Sequence, residues 1–153
     1  MIKSKPSKLN AAFTSTELLI FISLVGILVL IGIPAFRTYR PSLELSGTVR
    51  ELVSDLRYAE QLAVTEQVNY GVRFSSSTDK YQIIKFGATE EIIEEKTFPS
   101  TVSFDKITGL TGDEAIFNPY GAVQESGIII LINTKNSTTS IDIRPSGFVK
   151  VTD

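Results

Sequence analysis

The apolar positions of this 153-residue chain change their spacing along its length, and each spacing predicts a different element. The first pattern is a run of 19 residues without a charge, residues 18–36, in which Leu, Ile, Val and Phe dominate. An α-helix needs about 20 such residues to cross roughly 30 Å of hydrocarbon in a bilayer. We therefore predict a transmembrane helix that ends near Arg37 and Arg40.

A second helical pattern follows, over residues 42–67. Apolar residues recur there every three or four positions, which is the spacing of one helix face. They are Leu45, Val49, Leu52, Leu56, Ala59 and Ala63. The first segment is apolar on every helix face, and the second is apolar on one face only. This change is typical of a helix that leaves lipid and packs against a soluble domain. Because proline lacks the backbone N–H and clashes one turn back, we expect Pro34 and Pro41 to kink or interrupt the helix.

The rest of the chain has the pattern of short β-strands separated by turn-forming clusters. The predicted strands are residues 70–74, 81–86, 91–98, 102–106, 115–118, 127–133, 140–144 and 148–151. Residues 127–132 do not alternate between apolar and polar, so we expect a central strand covered on both faces. The fold class is α+β, with the long N-terminal helix packed on an antiparallel sheet or sandwich. The predicted segments are a leader (1–12), a membrane helix (13–36), an amphipathic helix (37–67) and an extracytoplasmic β domain (68–153).

Composition limits the chemistry that this chain can perform. It contains no histidine and no cysteine, which are the usual ligands of transition metals and common acid, base or nucleophilic groups. We therefore expect no cofactor, no metal and no enzymatic activity. Of 15 basic residues, Lys3, Lys5 and Lys8 lie in the leader, so residues 13–153 carry 12 basic and 17 acidic residues, a net charge of −5. Such an acidic body has little general attraction for DNA.

The most specific signal lies at the entrance of the apolar run. Residues 12–17, Ala-Phe-Thr-Ser-Thr-Glu, place the Glu17 carboxylate at the mouth of a membrane helix, where a charge is costly without a partner. Thr14 and Glu17 also fit the S/T-x-x-E capping box, in which the carboxylate bonds the free amides of the helix start. On the residues alone, a structural cap and a functional carboxylate both stay open.

This basic leader, small residue, Phe and Glu before an apolar helix resemble the type IV prepilin signal, and the resemblance extends to Gly26 and Pro34. It implies that a prepilin peptidase on the cytoplasmic side cleaves between Ala12 and Phe13, and that the new amino group of Phe13 is methylated. It also implies that Glu17 neutralises the Phe13 amino group of a neighbouring subunit during assembly. In the family, Gly is more usual than Ala at the position of Ala12.

The body of the chain is similar to the GspH/FimT family of minor pilins and pseudopilins, through residues 52–63, 117–121 and 141–147. The similarity implies a structural subunit of a type IV pilus or a type II secretion filament. Its implied partners are other pilin or pseudopilin subunits, the prepilin peptidase, an inner-membrane assembly platform and membrane lipid. The implied location is the bacterial inner membrane, crossed once with the N-terminus cytoplasmic, and later an extracytoplasmic filament. A pilus, a secretion system and a competence system all stay open.

Three other interpretations concern particular segments. A plain signal anchor carrying an extracytoplasmic binding domain needs only the apolar length and leaves Phe13 and Glu17 unexplained. A DNA-uptake minor pilin would use a basic C-terminal loop, but residues 144–150 offer only Arg144 and Lys150, so we do not expect DNA binding. The acidic run at residues 90–95 suggests a Ca²⁺ site, but its spacing is that of solvated charges along a strand edge.

Overall fold

The computed structural model describes residues 13–152, except for the side chain of Ala35. Within these residues the chain forms one α-helix, eight β-strands and a short 3-10 turn at Thr111–Asp113. The chain divides into two compact units, the first ending at Thr38 and the second beginning at Tyr39. The elements are α1 (Ser15–Glu66), β1 (Asn69–Ser75), β2 (Lys80–Phe86), β3 (Glu90–Thr97), β4 (Val102–Thr108), β5 (Glu114–Phe117), β6 (Gly127–Asn133), β7 (Thr138–Ile143) and β8 (Val149–Thr152).

Helix α1 continues through both of its prolines. Of the two outcomes expected at Pro34 and Pro41, an interruption is therefore wrong, and a kink stays a prediction. Each proline removes one backbone hydrogen bond, and the paired turns on either side are enough to continue the helix. The Thr38 hydroxyl donates to the Pro34 carbonyl oxygen at 3.1 Å, so this carbonyl has a hydrogen-bond donor from the next turn.

The strands form two antiparallel four-stranded sheets. Sheet A has the order β3-β2-β1-β5 and sheet B the order β4-β6-β7-β8. Every strand overlaps one of the eight predicted from the sequence, and the predicted turn clusters lie between the strands. The predicted α+β class, a long helix with antiparallel sheets, is therefore confirmed.

One apolar core joins α1 to both sheets. All six residues of the predicted helix stripe are buried, with at most 4% of their surface exposed. They belong to a single cluster with Tyr70, Val72 and Phe117 of sheet A and with Ile129 and Ile141 of sheet B. Because each leucine or isoleucine removed from water contributes about 1.5–3 kcal/mol, this shared cluster is the main source of stability in the second unit.

Strand β6 departs from the prediction in one respect. It lies inside sheet B, between β4 and β7, as expected of a central strand. Its burial nevertheless alternates, because Ile129 and Leu131 are fully buried while Ile128 is 42% exposed. Successive side chains of a strand point to opposite faces, and only one face of sheet B contributes to the apolar core. The expectation that β6 is covered on both faces is therefore wrong.

The acidic run lies in strand β3, which is one of the two edge strands of sheet A. None of its eight side chains is buried, so the carboxylates of Glu90, Glu91, Glu94 and Glu95 line an edge open to solvent. Charges in this position oppose pairing with a foreign strand. Across residues 13–152 no three acidic side chains are arranged to hold a metal ion.

An ionic network joins α1 to sheet A. The Tyr81 hydroxyl donates to Asp55 Oδ2 at 2.6 Å, and Lys96 Nζ lies 2.8 Å from the same oxygen and 3.1 Å from Glu51 Oε1. Burial, and then the hydrogen bond to Asp55, raise the pKa of Tyr81. Burial opposes the charge on Lys96, but its hydrogen bonds to Asp55 and Glu51 outweigh burial and raise its pKa. The network therefore favours a neutral Tyr81 beside a charged Lys96.

We expect the free energy of unfolding to fall above about pH 10, the ordinary pKa region of tyrosine and lysine. Tyr81 and Lys96 both have raised pKa values in the folded chain, so the folded state holds these two protons more tightly than the unfolded state does. Their contribution is complete below the unfolded pKa values and is lost as pH rises through the folded ones. Thermal melting of the full chain in detergent, followed by circular dichroism across this range, measures the effect.

The matched control for this titration is Tyr81→Phe. It removes one of the two titrating groups, so its melting temperature should fall less steeply with rising pH than that of the wild type. A wild-type melting temperature that stays constant well above pH 10 would contradict the expectation.

Candidate assembly site

Thr14 and Glu17 make a closed pair of contacts at the start of α1. The Thr14 N–H and hydroxyl donate to Glu17 Oε2 at 2.9 and 2.8 Å, and the Glu17 N–H donates to Thr14 Oγ1 at 3.2 Å. This is the reciprocal capping box that the S/T-x-x-E pattern predicts. The structural role of Glu17 is thus fulfilled within one chain, and any role in assembly would be additional.

The other predicted site residues lie on either side of this cap or further along α1. Phe13 precedes the helix and is 77% exposed, while Pro34 lies within it. Ala12 lies outside the described residues. Cleavage at Ala12, methylation of Phe13 and pairing of Glu17 with a second chain therefore stay predictions.

The segment Ser15–Pro34 is long and apolar enough to cross a membrane. None of its described side chains is buried within the chain, and Glu17 is its one charged residue. The Ser23 hydroxyl donates to the Leu19 carbonyl oxygen at 2.8 Å, so this polar group is paired inside the helix. A helix that is apolar on every face requires lipid or other apolar helices around it.

The polar stretch after the apolar segment is anchored to the β domain. Arg40 Nε lies 2.6 Å from Glu44 Oε1, and the Thr101 hydroxyl donates to Glu44 Oε2. The hydrogen bond from Thr101, and then the one from Arg40, lower the pKa of Glu44. Since Thr101 directly precedes β4, this carboxylate links α1 to the start of that strand.

Two solved structures share this architecture. The minor pseudopilin EpsH from the Type 2 Secretion System of Vibrio cholerae aligns with a TM-score of 0.62 and 12% identity, over 71% of this chain and 96% of that chain. The type IV minor pilin FimU of Pseudomonas aeruginosa aligns with a TM-score of 0.60 and 14% identity, over 73% of this chain and 90% of that chain. The chain has the minor pilin and pseudopilin fold. No family model and no curated protein matches its sequence.

In this pilin fold, the turn between β7 and β8 does not form a basic surface. Arg144 Nε lies 3.4 Å from Asp142 Oδ2, and the Arg144 guanidinium carbon lies 6.0 Å from the centre of the Phe148 ring. Lys150 stands opposite Asp142 in the strand register. Two cations with an acidic residue between them offer little net charge to a phosphate backbone.

A polar junction that the sequence pattern does not predict lies where two turns meet α1. Gly121 and Gly147 have φ values of 82° and 80°, a backbone region that favours glycine. A Cβ atom on Gly147 would lie 2.2 Å from the Gly121 carbonyl oxygen and 3.0 Å from Glu60 Oε1. The sequence identifies the two glycines as turn residues, but only the folded chain brings both turns against Glu60.

Proposed function

We propose that the chain is a minor pilin or pseudopilin, a structural subunit of a type IV pilus or a type II secretion filament. The observation that supports this is a minor pilin fold whose exposed apolar segment has its single carboxylate in the first helical turn. Its mechanism is assembly. The apolar segment holds the subunit in the membrane and later packs against neighbouring helices in the filament core, while the β domain faces outward.

Processing precedes assembly in this proposal. The prepilin peptidase cleaves between Ala12 and Phe13, and the new amino group of Phe13 is methylated. The subunit then carries an ammonium group four residues before the Glu17 carboxylate. Because both charges enter an apolar helix bundle, each requires an opposite charge, and Glu17 pairs with Phe13 of a neighbouring subunit. Such a pair sets the axial register between subunits.

The proposed location follows from this order of events. The chain crosses the bacterial inner membrane once, with its N-terminus in the cytoplasm, and then moves into an extracytoplasmic filament. Its partners are the peptidase, an inner-membrane assembly platform, membrane lipid and other pilin or pseudopilin subunits. The proposal requires neither a cofactor nor an enzymatic activity, and the acidic body argues against DNA as a partner.

Intact-mass measurement of the chain isolated from its own cells tests the processing. We expect a mass that lacks residues 1–12 and includes one added methyl group on Phe13. An Ala12→Gly variant should raise the cleaved fraction, because glycine is more usual at this position in prepilins. The neighbouring substitution Ala11→Gly is the control and should leave the fraction unchanged. A full-length chain in the membrane would contradict the proposal and favour a plain signal anchor.

A further inference from the structure

We propose that Glu60 marks a docking site in the second unit for a basic side chain of a neighbouring filament subunit. This inference rests on the proposed function, since it assumes that the chain is a filament subunit. It concerns a surface that lies in the second unit and is independent of Phe13 and Glu17. The site is formed by one helix and one turn of the β domain.

Glu60 lines a surface cavity of about 350 Å³. Its walls come from α1 and from the turn before β8, and they include Arg57, Glu60, Gln61, Ser146, Gly147 and Phe148. Two backbone hydrogen bonds close this turn: the Gly147 N–H donates to the Arg144 carbonyl oxygen at 2.9 Å, and the Arg144 N–H donates to the Phe148 carbonyl oxygen at 3.0 Å. The Glu60 carboxylate therefore lies in the wall of a cavity that the fold itself forms.

The Glu60 carboxylate is half-buried, yet it lacks a partner among the residues that the structure describes. None of them donates a hydrogen bond to it or forms an ion pair with it. Burial raises the pKa of Glu60, and the charge of Arg57, one turn earlier, lowers it by less. A carboxylate whose folded pKa is raised binds its proton more tightly when folded, so its ionised form destabilises the fold at neutral pH.

The other acidic residues of α1 in the second unit all have partners. Glu44 pairs with Arg40, Glu51 and Asp55 pair with Lys96, and Glu66 pairs with Lys85 at 2.5 Å. Among the described residues of this part of the helix, Glu60 is the acidic residue that forms no ion pair. A charge that destabilises the fold and has no internal partner is the arrangement expected when the partner comes from another molecule.

An exposed aromatic side chain lines the same cavity as this carboxylate. Phe148 belongs to the turn before β8 and is 56% exposed. Aromatic side chains are enriched in protein interfaces, and their ring faces attract cations. A half-buried carboxylate beside an aromatic ring on an acidic domain complements an arginine or lysine side chain. The occupant is therefore a basic residue of another subunit.

The test is a Glu60→Gln variant of the full chain, expressed in its native cells and also purified in detergent. Glutamine keeps the shape and removes the charge. We expect the melting temperature to rise, while the fraction of the subunit found in filaments falls by about tenfold, since an interfacial charge loses its partner. The matched control is Glu91→Gln, an exposed carboxylate on β3 that forms no ion pair within residues 13–152; it should change neither quantity.

Photo-crosslinking from position 61 identifies the occupant directly. The expected product joins the photoreactive residue at position 61 to a segment of another filament subunit that contains lysine or arginine. A Glu60→Gln variant that enters filaments at the wild-type level, or that melts at a lower temperature than the wild type, would overturn the docking site. So would crosslinks only to a second copy of this chain or only to acidic or apolar segments. If the wild-type chain itself is missing from filaments, the proposed function fails and the docking site with it.

Discussion

A Glu17→Gln variant is expected to reach the membrane and to be cleaved, yet to be absent from filaments. Glutamine can accept the hydrogen bonds from Thr14 that the carboxylate accepts now, because the capping box tolerates Gln at this position. The variant therefore keeps the helix start and loses only the negative charge. The ammonium group of Phe13 in the neighbouring subunit would then enter an apolar bundle without a partner.

The size of this effect follows from the cost of a buried, unpaired charge. Removing one partner of a buried ion pair destabilises by about 3–5 kcal/mol. Because each 1.4 kcal/mol changes an equilibrium constant about tenfold, the filament-bound fraction should fall by more than about a hundredfold. Quantitative immunoblotting of sheared filaments and of membranes measures both pools, and intact mass shows whether cleavage has occurred.

The matched variant for this experiment is Thr14→Ala. It removes the hydroxyl of the same capping box and leaves the Glu17 charge in place. Loss of an N-terminal cap costs about 0.5–2 kcal/mol of helix stability, so this variant should still assemble. The opposite result, assembly of Glu17→Gln and failure of Thr14→Ala, would mean that Glu17 acts only as a cap.

The helix stripe and the strands could be predicted because their burial follows from local spacing. Leu52 and Leu56 are fully buried, and the four other stripe residues are buried with them. Their spacing of three and four places them on one face of any α-helix, whatever packs against it. The capping box at Thr14 and Glu17 is equally local, since it needs only two residues three positions apart.

The coverage of each sheet face and the contacts between residues distant in sequence could not be predicted from local spacing. The apolar run of β6 does not reveal that only one face of sheet B is covered, so it does not predict the exposure of Ile128. Asp55 falls on the polar side of the helical pattern, yet it is only 8% exposed, because Tyr81 and Lys96 approach it from 26 and 41 residues further along the chain. Burial of a polar residue is a tertiary property that its own neighbours in sequence do not encode.

The network around Asp55 leads to the second large expected effect, which concerns stability. An Asp55→Ala variant should lower the free energy of unfolding by about 1.5–3 kcal/mol, because it leaves the buried Tyr81 hydroxyl without an acceptor and removes the closest carboxylate of Lys96. Lys96 would keep only Glu51 and Glu94, whose side chains are 57% and 47% exposed. The buried Tyr81 hydroxyl would lose the carboxylate that accepts its hydrogen bond. Chemical denaturation of the full chain in detergent measures the change.

A control variant and a double variant separate the two contributions. Glu94→Ala removes the most distant carboxylate, 3.7 Å from Lys96 Nζ, and should cost less than about 1 kcal/mol, as exposed ion pairs do. Tyr81→Phe should cost about 1.5–3 kcal/mol, the usual contribution of a hydrogen bond to a charged group. In the double variant Asp55→Ala with Tyr81→Phe no hydroxyl is left unpaired, so its cost should be smaller than the sum of the two single costs. Additive costs would show that Asp55 and Tyr81 act independently, and they would contradict the coupling that their 2.6 Å hydrogen bond implies.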